Sequence, residues 1–129
     1  MIAFRLSTTS GLSTYLQIAQ QVRQALRLGT LQPGDQLPTV KEVVGALAIN
    51  PNTVLKAYRV LESEGLIQGR PGQGTFVIRS LHRAPSPQQA ALRRGLDAWV
   101  REALHSGLDP DALDAMFEAA LRAGQEEVA

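Results

Sequence analysis

The chain has 129 residues, 44% of them hydrophobic and 19% charged, which is typical of a globular protein with one domain and a short extension. It has no cysteine, which excludes disulfides, thiolate zinc sites and a cysteine nucleophile. Its two histidines are widely separated, which argues against a metal site built on a histidine cluster. The net charge of +1 divides unevenly: residues 1–80 carry eight basic and four acidic side chains (+4), and residues 81–129 carry five and eight (−3), so the first part suits a polyanion.

A first helix is predicted in "STYLQIAQQVRQALRLG", because its apolar residues recur at steps of three and four. Thr14 and Gln17 have the spacing of a capping box, and Gly29 stands where a helix should end. We expect the apolar stripe to face the core. It consists of Tyr15, Ile18, Ala19, Val22, Ala25 and Leu26.

Two further helices are predicted close together. Thr39 and Glu42 in "TVKE" form a capping box that starts a short helix. Asn50 is a preferred N-cap residue and Pro51 suits the first helical position, so "NPNT" starts another helix, which ends at Gly65. This third helix presents one apolar face to the core. That face comprises Val54, Ala57, Tyr58 and Leu61.

A β-hairpin is predicted next. Two short β runs, 66–70 and 75–78, flank "PGQG", whose proline and glycines favour a tight turn. Helix, short helix, three-residue turn, helix and hairpin follow one another in the order of a winged helix-turn-helix.

The rest of the chain is predicted to be helical. Two helical patterns follow the linker-like "APSPQ", and Asp109 with Pro110 starts the second of them. The expected fold class is mainly α with a small β-hairpin wing: an N-terminal winged helix-turn-helix at 1–80, a linker at 81–87 and a C-terminal two-helix dimerisation hairpin at 88–129.

The two C-terminal helices each carry an apolar stripe that a helix pair cannot bury well by itself. We therefore expect a second copy of the chain to cover it, and packing against the chain's own winged helix is the alternative. The residues expected in the dimer interface are Leu92, Leu96, Trp99, Val100, Leu104, Leu113, Met116, Phe117 and Leu121.

The polar start of the third helix has the chemistry for reading DNA, since the second helix of such a pair lies in the major groove. Asn52 could bond adenine at two points, Thr53 could meet a phosphate or a thymine methyl, and free backbone N–H groups suit a phosphate. Lys56 and Arg59 could reach phosphate or guanine. The alternatives are that these polar residues only face water and that the charge offset is chance.

The predicted hairpin also fits DNA. Gly72 and Gly74 leave its tip narrow enough to enter a minor groove, with Arg70 at its base and Gln73 available for polar contact. An ordinary surface turn is the alternative.

Four motifs stand in order between Tyr15 and Val77: "PGDQLPTVKEV", "NPNTVLKAY", "LESEGLI" and "RPGQGTFV". In this combination they resemble the winged helix of the GntR family of bacterial transcription regulators. The "NPNTV" form and the short helical tail are similar to the YtrA-like subfamily.

The resemblance implies DNA-contacting residues position by position. Lys41 stands where the family usually has a contacting arginine, and it lacks the forked geometry of that residue. Leu55 stands where the family often has a polar or basic residue. Ala48 replaces the usual turn glycine, which would cost roughly 1 kcal/mol at positive φ. The expected DNA-binding residues are Thr39, Lys41, Asn50, Pro51, Asn52, Thr53, Lys56, Arg59, Arg70, Gln73, Gly74 and Thr75.

The expected function is that of a sequence-specific DNA-binding transcription regulator: a homodimeric repressor that binds a palindromic operator near its own gene and, by analogy with the subfamily, controls a transport operon. The alternative is a winged-helix protein-interaction module that does not bind DNA. No enzyme activity, cofactor or metal is expected. A small effector bound at the dimer interface stays open as a partner, although no residue identifies one. Since no apolar run approaches a membrane span of roughly 18 residues and no signal peptide is visible, the expected location is the cytoplasm.

Overall fold

The computed structural model describes residues 2–128 and contains five helices and one hairpin in the predicted order. The expected mainly helical fold with a small β-hairpin wing is confirmed. The elements are α1 (Thr14–Leu28), α2 (Val40–Leu47), α3 (Pro51–Ser63), β1 (Ile67–Arg70), β2 (Gly74–Val77), α4 (Pro87–His105) and α5 (Pro110–Val128).

Helix α1 buries the predicted stripe, with Ile18, Val22 and Leu26 fully enclosed, and it ends at Gly29 with a left-handed φ of 79°. The predicted capping box was wrong. The helix begins after Ser13, and the buried Gln17 is used elsewhere. Its Oε1 accepts from the Ser7 N–H (2.8 Å) and its Nε2 donates to the Ser7 carbonyl (2.9 Å), so the side chain holds the leading segment against α1.

The starts of α2 and α3 follow the local sequence signals. Thr39 accepts from the Glu42 N–H while the Glu42 carboxylate accepts from the Thr39 N–H, which completes the predicted capping box. Asn50 Oδ1 accepts from the Asn52 N–H at 2.8 Å, and proline occupies the first turn of α3. Both predicted helix starts are confirmed.

Helix α3 packs its predicted apolar face into the core shared with α1, α2 and the hairpin, with Val54, Ala57 and Leu61 fully buried. The hydroxyl of the buried Tyr58 donates to the Pro38 carbonyl at 2.6 Å. Burial, with a smaller contribution from the Glu42 charge, raises the pKa of Tyr58 well above its ordinary value. This bond fixes α3 to the segment that leads into α2.

The wing is an antiparallel hairpin in which Ile67 pairs with Val77 and Arg70 with Gly74. Compared with the predicted runs, β1 begins one residue later, at Ile67, and β2 is displaced by one residue, from 75–78 to Gly74–Val77. An isolated antiparallel bridge between Gln36 and Phe76 joins the segment before α2 to the hairpin.

The chain divides into two compact units, one ending at Arg83 and the other beginning at Ala84. In the second unit, α4 starts with a capping box of Ser86 and Gln89, inside the segment that the sequence suggested as a linker. Helix α5 starts where Asp109 Oδ1 accepts from the Ala112 N–H at 2.8 Å, as predicted. Within residues 2–128, no helix is long and apolar enough to cross a membrane.

Candidate nucleic-acid interface

The first turn of α3 exposes Asn50, Pro51 and Asn52, and Thr53 is half-buried. The expectation of free backbone N–H groups here was wrong for two of them. The Asn52 N–H is bonded to the Asn50 side chain, and the Thr53 N–H is bonded to the Asn50 carbonyl at 3.0 Å. The polar group that this turn leaves open to a ligand is therefore a side chain, the exposed amide of Asn52.

The next turns of α3 carry two exposed cations, Lys56 and Arg59. The Lys56 ammonium lies over the ring of Tyr15 on α1, 4.1 Å from the ring centroid. The sequence placed Tyr15 only in the core stripe, and no local signal could show this contact, which joins two helices. Leu55, the residue between these cations and the helix start, is half-buried.

The start of α2 presents Thr39 and Lys41, both exposed. The Thr39 hydroxyl accepts from the Glu42 N–H at 3.1 Å, so its oxygen is partly committed to the cap. A lysine in the first helical turn opposes the helix dipole by about 0.3–1 kcal/mol, and a bound phosphate would offset that cost. Lys41 is thus placed where a nearby anion would be stabilising.

The wing presents Arg70, Gln73, Gly74 and Thr75. The Arg70 guanidinium lies over the Phe76 ring at 4.9 Å from the centroid, which holds this exposed cation close to the hairpin surface. The Gln73 N–H donates to the Arg70 carbonyl at 3.0 Å and closes the turn.

Gln36 supports the tip of the wing and was missed in the sequence. Its Nε2 donates to the Gln73 carbonyl at 3.2 Å. Gly74 has a φ of 125°, and a Cβ there would collide with the Gln36 amide, so this position requires glycine. The only sequence signal was the position of Gln36 directly after the "QPGD" turn.

The N-cap of α2 and the wing line one open groove. Its lining is Thr39, Gly69, Arg70, Pro71, Gly72, Gln73, Gly74 and Thr75. The structure thereby brings five of the predicted DNA-binding residues together along this open groove. The remaining predicted residues lie along the first turns of α2 and the exposed side of α3.

Arg23, another cation of the first unit, is already paired. Its Nε donates to Glu64 Oε2 at 2.9 Å, which ties α1 to the end of α3. The pairing raises the pKa of Arg23 and lowers that of Glu64. The positive charge that this unit presents to solvent therefore comes mainly from other cations, such as Lys41, Lys56, Arg59 and Arg70.

The second unit exposes most of the apolar residues predicted for the dimer interface. Leu92 is 67% exposed, Phe117 48% and Leu121 50%, and Leu96, Trp99, Leu104 and Met116 are exposed as well. Val100 is half-buried. Leu113 differs, since it is already buried within this unit, as is Ala103. The sequence reasoning did not single out Leu108 and Val128, which are also exposed.

Comparisons with known proteins agree with this geometry. A family model described as "Bacterial regulatory proteins, gntR family" matches residues 14–77. The chain is 33% identical over 99 residues to the uncharacterized HTH-type transcriptional regulator YhcF of Bacillus subtilis, covering 77% of this chain and 82% of that protein. It is 46% identical over 63 residues to the HTH-type transcriptional repressor YtrA of the same organism, covering 49% of this chain and 48% of that protein.

One solved structure extends the likeness over both units. "YtrA from Sulfolobus acidocaldarius, a GntR-family transcription factor" matches with a TM-score of 0.54 and 28% identity, covering 92% of this chain and 97% of that one. The similarity therefore includes the two-helix tail as well as the winged helix.

Proposed function

Because the chain belongs to the YtrA-like subfamily of the GntR family of bacterial regulatory proteins, and is therefore a DNA-binding transcription regulator rather than an enzyme, we propose that it is a homodimeric repressor of a palindromic operator. The operator lies near its own gene, and by analogy with the subfamily the controlled operon serves transport. The protein acts in the cytoplasm, where bacterial DNA lies.

The DNA-binding proposal is carried by two exposed surfaces: the groove between the N-cap of α2 and the wing, and the polar side chains of α3. Thr39, Arg70 and Gln73 line this groove. Asn52 and Arg59 are exposed on α3, the helix that lies in the major groove in proteins of this fold. In this arrangement α3 reads base edges, while the wing and the start of α2 contact phosphates and the minor groove.

The proposal of a homodimer rests on the second unit. Large apolar side chains such as Leu92, Trp99 and Phe117 are between 36% and 67% exposed on two helices, and contiguous exposed apolar surface marks an interaction site. A second copy is the partner that a regulator with a palindromic operator requires, because a two-fold dimer matches the symmetry of its site.

The role of repressor is supported by the relative with 46% identity, which is named a transcriptional repressor. The match to that relative spans 63 residues and 48% of its length, so repression by this chain is part of the proposal. No effector is assigned.

The test is a salt-titrated binding assay with DNA from immediately upstream of the gene and an unrelated duplex of equal length. We expect tight binding to the upstream fragment alone, with an affinity that falls steeply as salt rises, because phosphate contacts release counterions. Equal and weak binding to both duplexes would contradict a specific operator there. Absence of binding even at low salt would favour the protein-interaction alternative.

A further inference from the structure

The ammonium of Lys56 on α3 lies 4.1 Å from the centroid of the Tyr15 ring, well within the roughly 6 Å over which a cation is attracted to an aromatic face. Tyr15 is the second residue of α1, and Lys56 lies one turn into α3. The contact therefore joins the start of one helix to the proposed DNA-reading side of another.

The ring is the fixed partner in this pair. Tyr15 is half-buried and packs against the core, next to the fully buried Ile18 and Ala19 of the same helix. Lys56, in contrast, is exposed and has four rotatable side-chain bonds. The contact thus restrains the flexible Lys56 side chain against the Tyr15 ring, which the core holds in place.

Holding Lys56 over the ring does not use up its hydrogen-bonding capacity. An ammonium group has three N–H donors, and a ring face occupies one side of it. Because Lys56 is exposed, its other side is open to an anion. A phosphate oxygen can therefore accept from Lys56 while the ring contact persists.

Core packing alone does not account for this arrangement. The apolar stripe of α1 explains why the Tyr15 ring is half-buried, but a leucine would serve that purpose equally well. The wing has a matching pair, since the Arg70 guanidinium lies over the Phe76 ring at 4.9 Å. Two cations of the proposed interface, on two different elements, are thus each placed over an aromatic ring.

We propose that Tyr15 is a positioning residue for DNA binding, which holds the Lys56 ammonium ready to meet a backbone phosphate. The inference rests on the proposed DNA-binding function of this surface. Ordering a lysine at the moment of binding has an entropic cost, and the ring removes part of that cost in the free protein. From the strength of exposed cation–π pairs, the gain in affinity is about two- to fivefold.

The experiment measures the affinity of the full chain for the upstream DNA fragment over a range of salt. Tyr15→Leu should weaken binding about two- to fivefold, whereas Tyr15→Phe, which keeps the ring, should restore nearly all of it. In a Lys56→Ala background, Tyr15→Leu should have no further effect, but in an Arg59→Ala background it should have its full effect. Thermal unfolding of each variant checks that the fold is intact.

The salt dependence separates the two residues. Lys56→Ala removes a phosphate contact and should lower the slope of log K against log salt by about one. Tyr15→Leu leaves the charge in place, so it should weaken binding without changing that slope. Leu28→Ala, at an exposed apolar residue elsewhere on α1, is the matched control and should change neither the affinity nor the slope.

Failure of the inference can be told apart from failure of the proposed interface. If Lys56→Ala itself leaves affinity and slope unchanged, the interface assignment is wrong. If Lys56→Ala weakens binding but Tyr15→Leu acts equally in both backgrounds, Tyr15 is merely structural. A loss in Tyr15→Phe as large as in Tyr15→Leu would also overturn the proposal, because the hydroxyl and not the ring would then be responsible.

Discussion

Ala48 adopts the left-handed backbone conformation at the end of α2, with φ 54° and ψ 46°. The sequence suggested this possibility because glycine is usual at the position, and the structure confirms the positive φ. The residue closes the helix through its N–H, which donates to the Val44 carbonyl at 2.8 Å. A Cβ in this conformation is strained, so the turn between α2 and α3 carries a local cost that glycine would avoid.

Ala48→Gly should therefore stabilise the protein by about 1 kcal/mol, measured as the free energy of unfolding in urea. Ala46→Gly is the matched control, because Ala46 is exposed and lies within the same helix. That change should destabilise by about 1 kcal/mol. If both substitutions changed the free energy of unfolding in the same direction, the claim that Ala48 is strained would be contradicted.

Tyr58 predicts a dependence of stability on alkaline pH. Its pKa is raised in the folded protein, so the folded state holds the phenolic proton more tightly than the unfolded state. The resulting stability is fully present below the ordinary tyrosine pKa of about 10 and is lost as pH rises above it. Urea titrations between neutral and alkaline pH should show this loss.

Tyr58→Phe is the control for that titration. It removes the buried donor to the Pro38 carbonyl and should cost about 1–3 kcal/mol at neutral pH. The difference in stability between the two proteins should then shrink above pH values of about 10, because only the parent chain has this phenol to ionise. A difference that stays constant with pH would argue against the shifted pKa.

Helix starts were the most predictable elements of this fold. The capping box of Thr39 and Glu42 and the Asn50–Pro51 start depend on residues within one turn, so the sequence alone could identify them. Gln17 shows the limit: its side chain has a capping-box spacing but instead bonds the backbone of Ser7, in a segment that folds back on α1.

The candidate site was predictable to the same extent. Its exposed residues, such as Asn52 and Arg70, follow from helix periodicity and turn composition. The residues that support them do not, because Gln36 reaches Gln73 and Tyr15 reaches Lys56 across the fold. Contacts between distant parts of the chain leave no local pattern, so the sequence predicts which residues of the candidate surface are exposed but not the contacts that support them.

The wing provides a test at the level of an element. Arg70→Ala should weaken DNA binding at low salt about five- to tenfold and lower the salt slope by about one, through loss of a phosphate contact. Arg79→Ala is the charge-matched control, since Arg79 is exposed just beyond β2 and outside the predicted site. Equal losses in both variants would mean that only overall charge matters and that the wing makes no specific contact.

The molecule as a whole combines a basic unit with an acidic one, and the latter exposes a large apolar surface. Phe117 is 48% exposed on α5, in the stripe assigned to the dimer interface. Phe117→Glu should weaken the dimer at least about thirtyfold, because association would bury an unpaired carboxylate. Sedimentation equilibrium measures this directly.

Leu28→Glu is the matched control for that experiment, since Leu28 is another exposed apolar residue, at the end of α1. It should leave the dimer intact. A Phe117→Glu protein that sediments as the parent does would show that α5 does not form the interface. A parent chain that is monomeric at all concentrations would refute the homodimer itself.

The most direct test of the account is a hydroxyl-radical footprint of the full chain on the upstream DNA fragment. A dimer that reads a palindrome with α3 and the wing should protect two symmetric half-sites whose centres lie about one helical turn, roughly 34–36 Å, apart or a multiple of that spacing. Arg70→Ala should reduce protection in the minor groove of both half-sites. A single asymmetric footprint, or binding that leaves no defined protection, would contradict the claim that this chain is a two-fold reader of a palindromic operator.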